Sequence, residues 1–392
     1  MPDAVIVSAC RTAIGTARKG TLAETDALVL GRAVVDESLA RTGIAPKDLD
    51  GLILAETLAG GGVLARYIAL EAGLENVAGL AQNQHCSSGL SAVETAAASI
   101  MAGMDSAFIA GGVQSSSTAP VSKKRIPGTN DWVDWMSPSH PDSPEAPAMD
   151  MSITVGWNTA NIADISREEM DAWALRSHER AIAAIDEGRF AHEIVPIKVT
   201  TTDGAAVVFE VDEHPRRGST TEKLAGLKPL HPEIPGFSIT AGNASGINDA
   251  ASALVLTSDG FAAAHDLTAL ATVRAWATIG VDPYRNGVAP TVAIPKALDR
   301  AGLDVGDVHL WEINEAFASV PIAACKMLGI DEELVNISGS GCSLGHPIAA
   351  TGARMVTTLI YDLQRRGGGI GVASMCAGGG MGAALVIEVP AG

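Results

Sequence analysis

Twice along this chain, short apolar runs of strand length alternate with stretches of helix length, and between the two series the texture breaks. Ala4–Ala9 is a β-branched run that reads as a buried strand. Asp26–Arg41 is apolar at Leu28, Leu30, Val34, Val35 and Leu39, has Thr25 as a cap and meets Gly43, so it reads as a helix. Leu52–Leu54, Val63–Ala72 closing on Gly73, Val77–Ala81, Ser88–Met104 and Ala107–Ala110 continue the series up to Gly111-Gly112. Such alternation predicts an α/β fold around a mostly parallel sheet with both faces covered.

The alternation resumes after Asn248. Strands are expected at Ala253–Thr257, Ala269–Ile279, His309–Ile313, Leu334–Ile337, Ile370–Met375 and Ala383–Val389, and helices at Val292–Ala301, Ala316–Leu328 and Ala349–Arg366. The second series echoes the first. Gly345-His346-Pro347 precedes a helix as Cys86-Ser87-Ser88 does, and Val372–Met375 runs into Cys376-Ala377-Gly378-Gly379-Gly380 as Phe108–Ala110 runs into Gly111-Gly112. Two related halves put Cys86 and His346 at equivalent turns, facing each other across a pseudo-twofold axis. The expected division is residues 1–114 completed by 249–270 for one half, 271–392 for the other, and 115–248 as an insertion. That insertion is dense in Ser, Pro, Trp and charge over Ser115–Pro147, and includes Lys123-Lys124-Arg125. It then carries one strong helix, Ser166–Glu187, opened by a Ser166/Glu169 capping box, and a strand pair, Ile194–Val199 and Ala206–Val211, around Asp203-Gly204. An insertion of this length laid over a regular core is expected to serve the site.

Composition narrows the partners. Of 392 residues, 47% are hydrophobic and 18% charged, enough to bury large cores. The net charge of -18 argues against nucleic acid and against an anionic membrane as partner. No apolar run reaches the roughly 18 residues of a spanning helix, and MPDAVIVSACRT has neither the basic start nor the apolar stretch of a signal peptide. The five cysteines (Cys10, Cys86, Cys325, Cys342, Cys376) are odd in number and form no C-x-x-C pair, so they read as free thiols in a reducing, cytoplasmic setting with no metal site.

The chemistry concentrates on turns. Cys86 falls between a strand-length run and an Ala-rich helix, with Ser87 or Ser88 as cap, where free helix amides lower a thiol's pKa and can hold an oxyanion. Taken alone, Cys86 reads more readily as a small buried hydrophobe. Asn314 in Asn314-Glu315-Ala316-Phe317, His346 and Cys376 occupy three more such turns, at carboxyl ends of strands or starts of helices, where α/β proteins build sites. Gly339–Gly345 has glycines at the wrong spacing for a dinucleotide loop and no ribose-binding acid.

These blocks, with Ala241-Gly242-Asn243-Ala244-Ser245-Gly246-Ile247-Asn248-Asp249, closely resemble the thiolase family in order and spacing, over essentially the whole chain. The resemblance implies a thiolase fold: two pseudo-repeated β-α-β halves in a five-layer α/β/α/β/α core with an inserted loop domain. It implies acyl transfer between coenzyme A thioesters, cleaving a 3-oxoacyl-CoA or condensing two acyl-CoAs, with CoA and acyl-CoA as substrates, no tightly bound cofactor, and a homodimer or homotetramer. By the same resemblance Cys86 is the nucleophile, His346 its base and Cys376 the second acid/base. Asn314, through a water and with His346, would form one oxyanion hole; the amides of Cys86 and Gly378 would form the other. Arg216 matches a position near the adenine, Ala241 and Ser245 match pantetheine contacts, and Phe317 joins them as a cofactor-contact candidate. A decarboxylating ketosynthase would lack Cys376, and a silent lipid-binding relative would have lost a catalytic residue; neither loss is present. The chain departs from the family at Met151-Ser152-Ile153, at Trp157-Asn158 where Glu-Asn is expected, and at Pro138–Pro147, so the departure falls on the acyl pocket and not on the chemistry.

Overall fold

A computed structural model describes residues 2–392. The first half contributes strands β1 (Ala4–Thr12), β2 (Gly51–Ala55), β3 (Ala78–Gln82) and β4 (Ala107–Gln114), joined by helices α1 (Ala27–Thr42), α2 (Leu64–Glu71) and α3 (Ser88–Met101). The insertion holds the long helix α4 (Arg167–Asp186) and leads into β5 (Asn248–Ser258). The second half supplies β6 (Ala271–Gly280), α5 (Pro290–Ala301), β7 (Leu310–Ile313), α6 (Ser319–Leu328), α7 (Ile348–Arg365), β8 (Gly369–Ala377) and β9 (Met381–Val389).

Hydrogen bonding orders these strands as β7-β8-β9-β6-β1-β5-β4-β2-β3. The order is a repeat folded about its middle. From β1 outward the first half runs antiparallel to β5, antiparallel to β4, then parallel to β2. From β6 outward the second half runs antiparallel to β9, antiparallel to β8, then parallel to β7. The two meet only where β1 pairs with β6 at Val5↔Thr272 and Ile6↔Ala271. The fifth place of the second half, expected as a strand at Leu334–Ile337, is reduced to a 3-10 turn and a single bridge, Trp311↔Val335.

The sheet is therefore mixed, not mostly parallel. The reason lies in the connections. β5 re-enters after the insertion and slots between β1 and β4 in the opposite direction, and β9 is turned back on β8 by the Gly378–Gly380 hairpin. Gly111 and Gly112 do not end β4 either. They lie inside it, where a side chain on Gly112 would strike the Ala349 carbonyl of α7. Central strands are buried on both faces, throughout β4 and in all of β5 but its last residue.

Three apolar cores fill the spaces between layers. α1 and α2 cover one outer face, α5 and α6 the other, and α3 with α7 form the middle layer between the two folded halves. α1 is capped by Asp26 (not by Thr25), which accepts the Leu28 amide, and it ends at left-handed Gly43. α4 has the expected Ser166/Glu169 capping box. In the insertion, Ile197–Thr200 and Ala206–Phe209 form the expected hairpin, while Ile194–Val195 pairs instead with β1.

The middle layer sets where the two halves converge. α3 and α7 touch through glycines near their starts: a β-carbon on Gly352 would lie 2.3 Å from the Leu90 amide, and one on Gly89 would lie 2.8 Å from the Ala353 amide. Only there can two helix backbones approach so closely, and the turns before both helices are brought to one end of the layer. Gly352→Ala is expected to force α3 and α7 apart and destabilise the protein by about 1–3 kcal/mol. Urea unfolding read by circular dichroism would register it, and an unchanged midpoint would show that the crossing tolerates separation.

Candidate active site

At that end lies the Gln84–Ser88 turn. His85 has a left-handed backbone (φ 50), unusual for a residue with a side chain. Its amide donates to Asn83 Oδ1 at 3.1 Å, and its carbonyl accepts the Ser88 hydroxyl at 2.6 Å and the Ser88 amide at 3.1 Å. Ser87 occupies the cap position of α3 without a side-chain cap bond, and Ser88 Oγ accepts the Gln84 amide at 2.7 Å. The turn is thus tied by its own serines, and it presents Cys86 part-buried at the start of α3.

The amide N–H groups of Gly378 and of Cys86 itself face the Cys86 sulfur. They do not win: burial pushes the thiol up to about 11, against the sequence expectation of a lowered value. Cys376, next to the hairpin turn at the end of β8, is 2% exposed, and burial, reinforced by nearby Cys86, raises its thiol far above the ordinary range. The structure brings Cys86, Cys376 and Gly378 together.

His346 follows the Gly341–Leu344 helical turn and opens α7. Its amide donates to Asn248 Oδ1 at 3.0 Å. Its Nδ1 lies 2.7 Å from Thr351 Oγ1, whose hydroxyl donates to the Pro347 carbonyl at 2.9 Å. With that proton committed, Nδ1–H must donate to Thr351, and Nε2 is left as the lone-pair nitrogen. Nε2 is buried with no protein partner among the described residues, and burial, helped by the Arg354 charge, lowers the imidazole to about 3. Thr351 is a residue the sequence reading missed; its only signal was a hydroxyl one helical turn beyond the histidine. Asn314 is fully buried, its amide donates to the Ser374 carbonyl at 3.0 Å, and neither side-chain polar atom has a protein partner among the described residues. A buried amide left unmatched is costly, so it marks a place where something polar is received.

The contact candidates separate into two places. Ser245 donates its amide to the Ala316 carbonyl at 3.0 Å and Ala244 bridges Phe317, so Ser245 and Phe317 adjoin the Asn314 turn, with exposed Ala241 at the start of the same segment. Arg216 stands apart: its amide donates to His178 Nδ1 at 3.2 Å and its side chain is exposed.

The divergent loop is ordered by polar bonds. Asn158 Nδ2 donates to the Glu145 carbonyl at 2.8 Å, Thr154 Oγ1 to Pro147 at 2.8 Å, and the Ala148 amide to Asp142 at 2.7 Å. The Ser152 hydroxyl, at one of the positions where the chain departs from the family, is committed to Asp150 at 2.6 Å. Trp157 packs on Phe237 at 5.3 Å, while Trp132 and Trp135 stand on or beside an exposed hairpin that also carries Lys123–Arg125. No cluster of three or more His, Cys, Asp or Glu among the described residues could hold a metal, and no helix among them is long and apolar enough to cross a membrane.

Comparison with known proteins agrees with this geometry along the whole length. The thiolase N-terminal domain model matches residues 4–260 and the thiolase C-terminal domain model matches residues 267–389. An acetyl-CoA acetyltransferase of Escherichia coli is 41% identical over 404 residues, covering 99% of each chain. A 3-ketoacyl-CoA thiolase of Bacillus subtilis is 40% identical, covering 99% of this chain and 100% of its own. The crystal structure of the Bacillus anthracis acetyl-CoA acetyltransferase superposes with a TM-score of 0.89 at 39% identity, covering 99% of both chains. With both family models, full-length relatives and a matching fold, the chain belongs to the thiolase family and is an acyltransferase.

Proposed function

We propose that this thiolase moves acyl groups between coenzyme A thioesters through an acyl-enzyme on Cys86, with CoA and acyl-CoA as diffusible substrates and no resident cofactor. The observation that carries the reading is the meeting of Cys86, Cys376 and the Gly378 amide, together with the unpartnered buried Nε2 of His346.

In the cleaving direction His346 Nε2 takes the Cys86 proton as the sulfur attacks the 3-oxo carbon. The tetrahedral oxygen carries the charge and the amides of Cys86 and Gly378 receive it. The bond between C2 and C3 then breaks, the chain stays on sulfur as a thioester, and the leaving acetyl-CoA enolate takes its proton from Cys376. Cys376 thiolate next deprotonates incoming CoA, whose sulfur displaces Cys86 and releases acyl-CoA, and the departing Cys86 thiolate recovers its proton from His346 Nε2. Asn314 and His346 would polarise the thioester oxygen of the enolate-forming partner. Ala241, Ser245 and Phe317 are proposed to line the pantetheine path, and Arg216 to meet the nucleotide end.

The proposed division is 1–114 with 249–270, 115–248, and 271–392. Self-association is proposed along β3, an outermost strand of the sheet, beside which Leu80, Tyr67 and Leu70 are 45%, 51% and 49% exposed. Five free thiols suit a reducing cytoplasm.

Thiolysis assays over a chain-length series of 3-oxoacyl-CoAs with free CoA test the activity. Because the Pro138–Trp157 wall is rebuilt, kcat/KM is expected to rise with longer or branched chains, about several-fold per well-fitted methylene. A strict preference for acetoacetyl-CoA with steady decline thereafter would show the rebuilt wall to be neutral.

Acyl-CoA incubation should leave an adduct on the Cys86 peptide by mass spectrometry, and Cys86→Ala should cost several orders of magnitude in turnover. With its thiol held at about 11, free Cys86 should be alkylated by iodoacetamide ever faster as pH rises through 9, with no plateau near neutrality. An adduct on Cys376 alone would overturn the assignment.

Cys376→Ser should still form the acyl-enzyme while α-proton exchange on acetyl-CoA slows by about 10²-fold or more. Exchange at the parent rate would mean that another group carries the proton.

A further inference from the structure

One face of the nucleophile's turn carries polar groups that the chemistry above does not use. A β-carbon on Gly378 would lie 3.3 Å from His85 Cγ, 3.5 Å from its Cδ2 and 3.5 Å from Ser139 Cβ. The Cγ–Cδ2 edge is thus the part of the His85 ring nearest the glycine. Neither nitrogen has a protein partner among the described residues, and neither is sealed from solvent. The backbone that aims this ring is held in an unfavourable region by hydrogen bonds at both its amide and its carbonyl, a strain that persists only where the surroundings impose it.

Ser139 flanks the same glycine from the divergent loop, and its carbonyl would be 2.6 Å from a β-carbon on Gly379. It is aimed by His140, which is buried. His140 Nε2 lies 2.9 Å from the Ala146 carbonyl, which can only accept, so Nε2 holds the proton and Nδ1 is the acceptor. The Ser139 hydroxyl, 2.8 Å from Nδ1 and 3.5 Å from the Ala148 carbonyl, donates toward these acceptors and keeps its own oxygen lone pairs free. Burial, with His140 as neighbour, lowers the His85 imidazole, so at neutral pH it is uncharged and offers one donor and one acceptor.

We propose that His85 and Ser139 form a hydrogen-bonding rim beside Cys86 that selects acyl chains bearing a hydroxyl close to the reacting carbonyl over plain hydrocarbon chains. A donor, an acceptor and a second acceptor on one wall match a hydroxyl, which both gives and takes a hydrogen bond. A carboxylate would find two lone pairs and no resident cation there. A plain alkyl chain would leave the rim's polar groups stripped of water and unmet. The proposal rests on the acyl-enzyme reading of Cys86 and adds to it the class of acyl group.

The test is thiolysis of 3-oxohexanoyl-CoA, 5-hydroxy-3-oxohexanoyl-CoA and a six-carbon 3-oxoacyl-CoA ending in a carboxylate, with the wild-type protein and two variants. The wild type should favour the hydroxylated substrate over the plain one by about five- to ten-fold in kcat/KM, the range of one or two neutral hydrogen bonds. His85→Gly suits the left-handed backbone, and Ser139→Ala removes the hydroxyl's two loop bonds but keeps those of His140 Nε2 to Ala146 and of the Ala148 amide to Asp142; each should bring the ratio toward one. Equal rates on all three substrates, a preference for the carboxylate, or a hydroxyl preference that survives both variants would overturn the rim while leaving acyl transfer standing. No turnover and no Cys86 adduct with any thioester would instead refute the acyl-transfer reading itself, and the rim with it.

Discussion

A single buried carboxylate holds the proposed site to its scaffold. Glu315 is 1% exposed, and its two oxygens accept four hydrogen bonds: Trp173 Nε1 at 2.9 Å and Asn336 Nδ2 at 2.8 Å on one, Ser177 Oγ at 2.6 Å and the Cys342 amide at 3.0 Å on the other. Trp173 and Ser177 belong to α4 of the insertion, Cys342 to the turn that leads to His346, and Glu315 itself follows Asn314. A buried carboxylate is stable only when its lone pairs are met, and removing a partner costs far more than the bond is worth in water. The insertion, the Asn314 turn and the His346 turn therefore move together or not at all. Asn336 extends the tie by bonding the Ile313 amide and carbonyl, both at 2.8 Å.

Much of this was legible in the sequence because each motif pairs a chemical residue with the small residues its position demands. Cys86, Asn314, His346 and Cys376 each sit on a turn whose flanking strand or helix announces itself by apolar period, and the glycines at 378–380 mark the hairpin. Direction was not legible. An apolar run looks the same read either way, so β5, arriving after a long insertion, and β9, returning from a hairpin, were indistinguishable from parallel strands. Gly111 and Gly112 misled for a related reason: a glycine admits close packing as readily as it breaks a strand, and here α7 needed the space.

The groups that aim and tune the site were the least visible. Thr351 fixes the His346 tautomer from one turn along a helix, and nothing in a helical pattern distinguishes that hydroxyl from the Thr357 hydroxyl, which bonds its own backbone. His140 sits in a proline-rich stretch without periodicity, so its bonds to Ser139 and Ala146 could not be anticipated. The rise of the Cys86 thiol was likewise hidden, because a helix start is a local signal whereas desolvation depends on every layer packed around it.

The two helices of the middle layer explain how burial and activation coexist. α3 and α7 each begin at the site, so both direct the positive ends of their dipoles toward it. At rest these dipoles do not offset the loss of water: Cys86 remains a thiol below about 11 and His346 a neutral imidazole above about 3, so across the physiological range the site holds no charge on either. An uncharged pair is what a largely desolvated site tolerates. In the proposed reaction, charge would arise on an oxygen as a carbonyl is attacked, and the Cys86 and Gly378 amides that face the sulfur would receive it without reorganisation. The same burial that suppresses a resting thiolate strengthens every dipole acting on the transient oxyanion. Opening the site further to water would lower the thiol's pKa and weaken the oxyanion's support together.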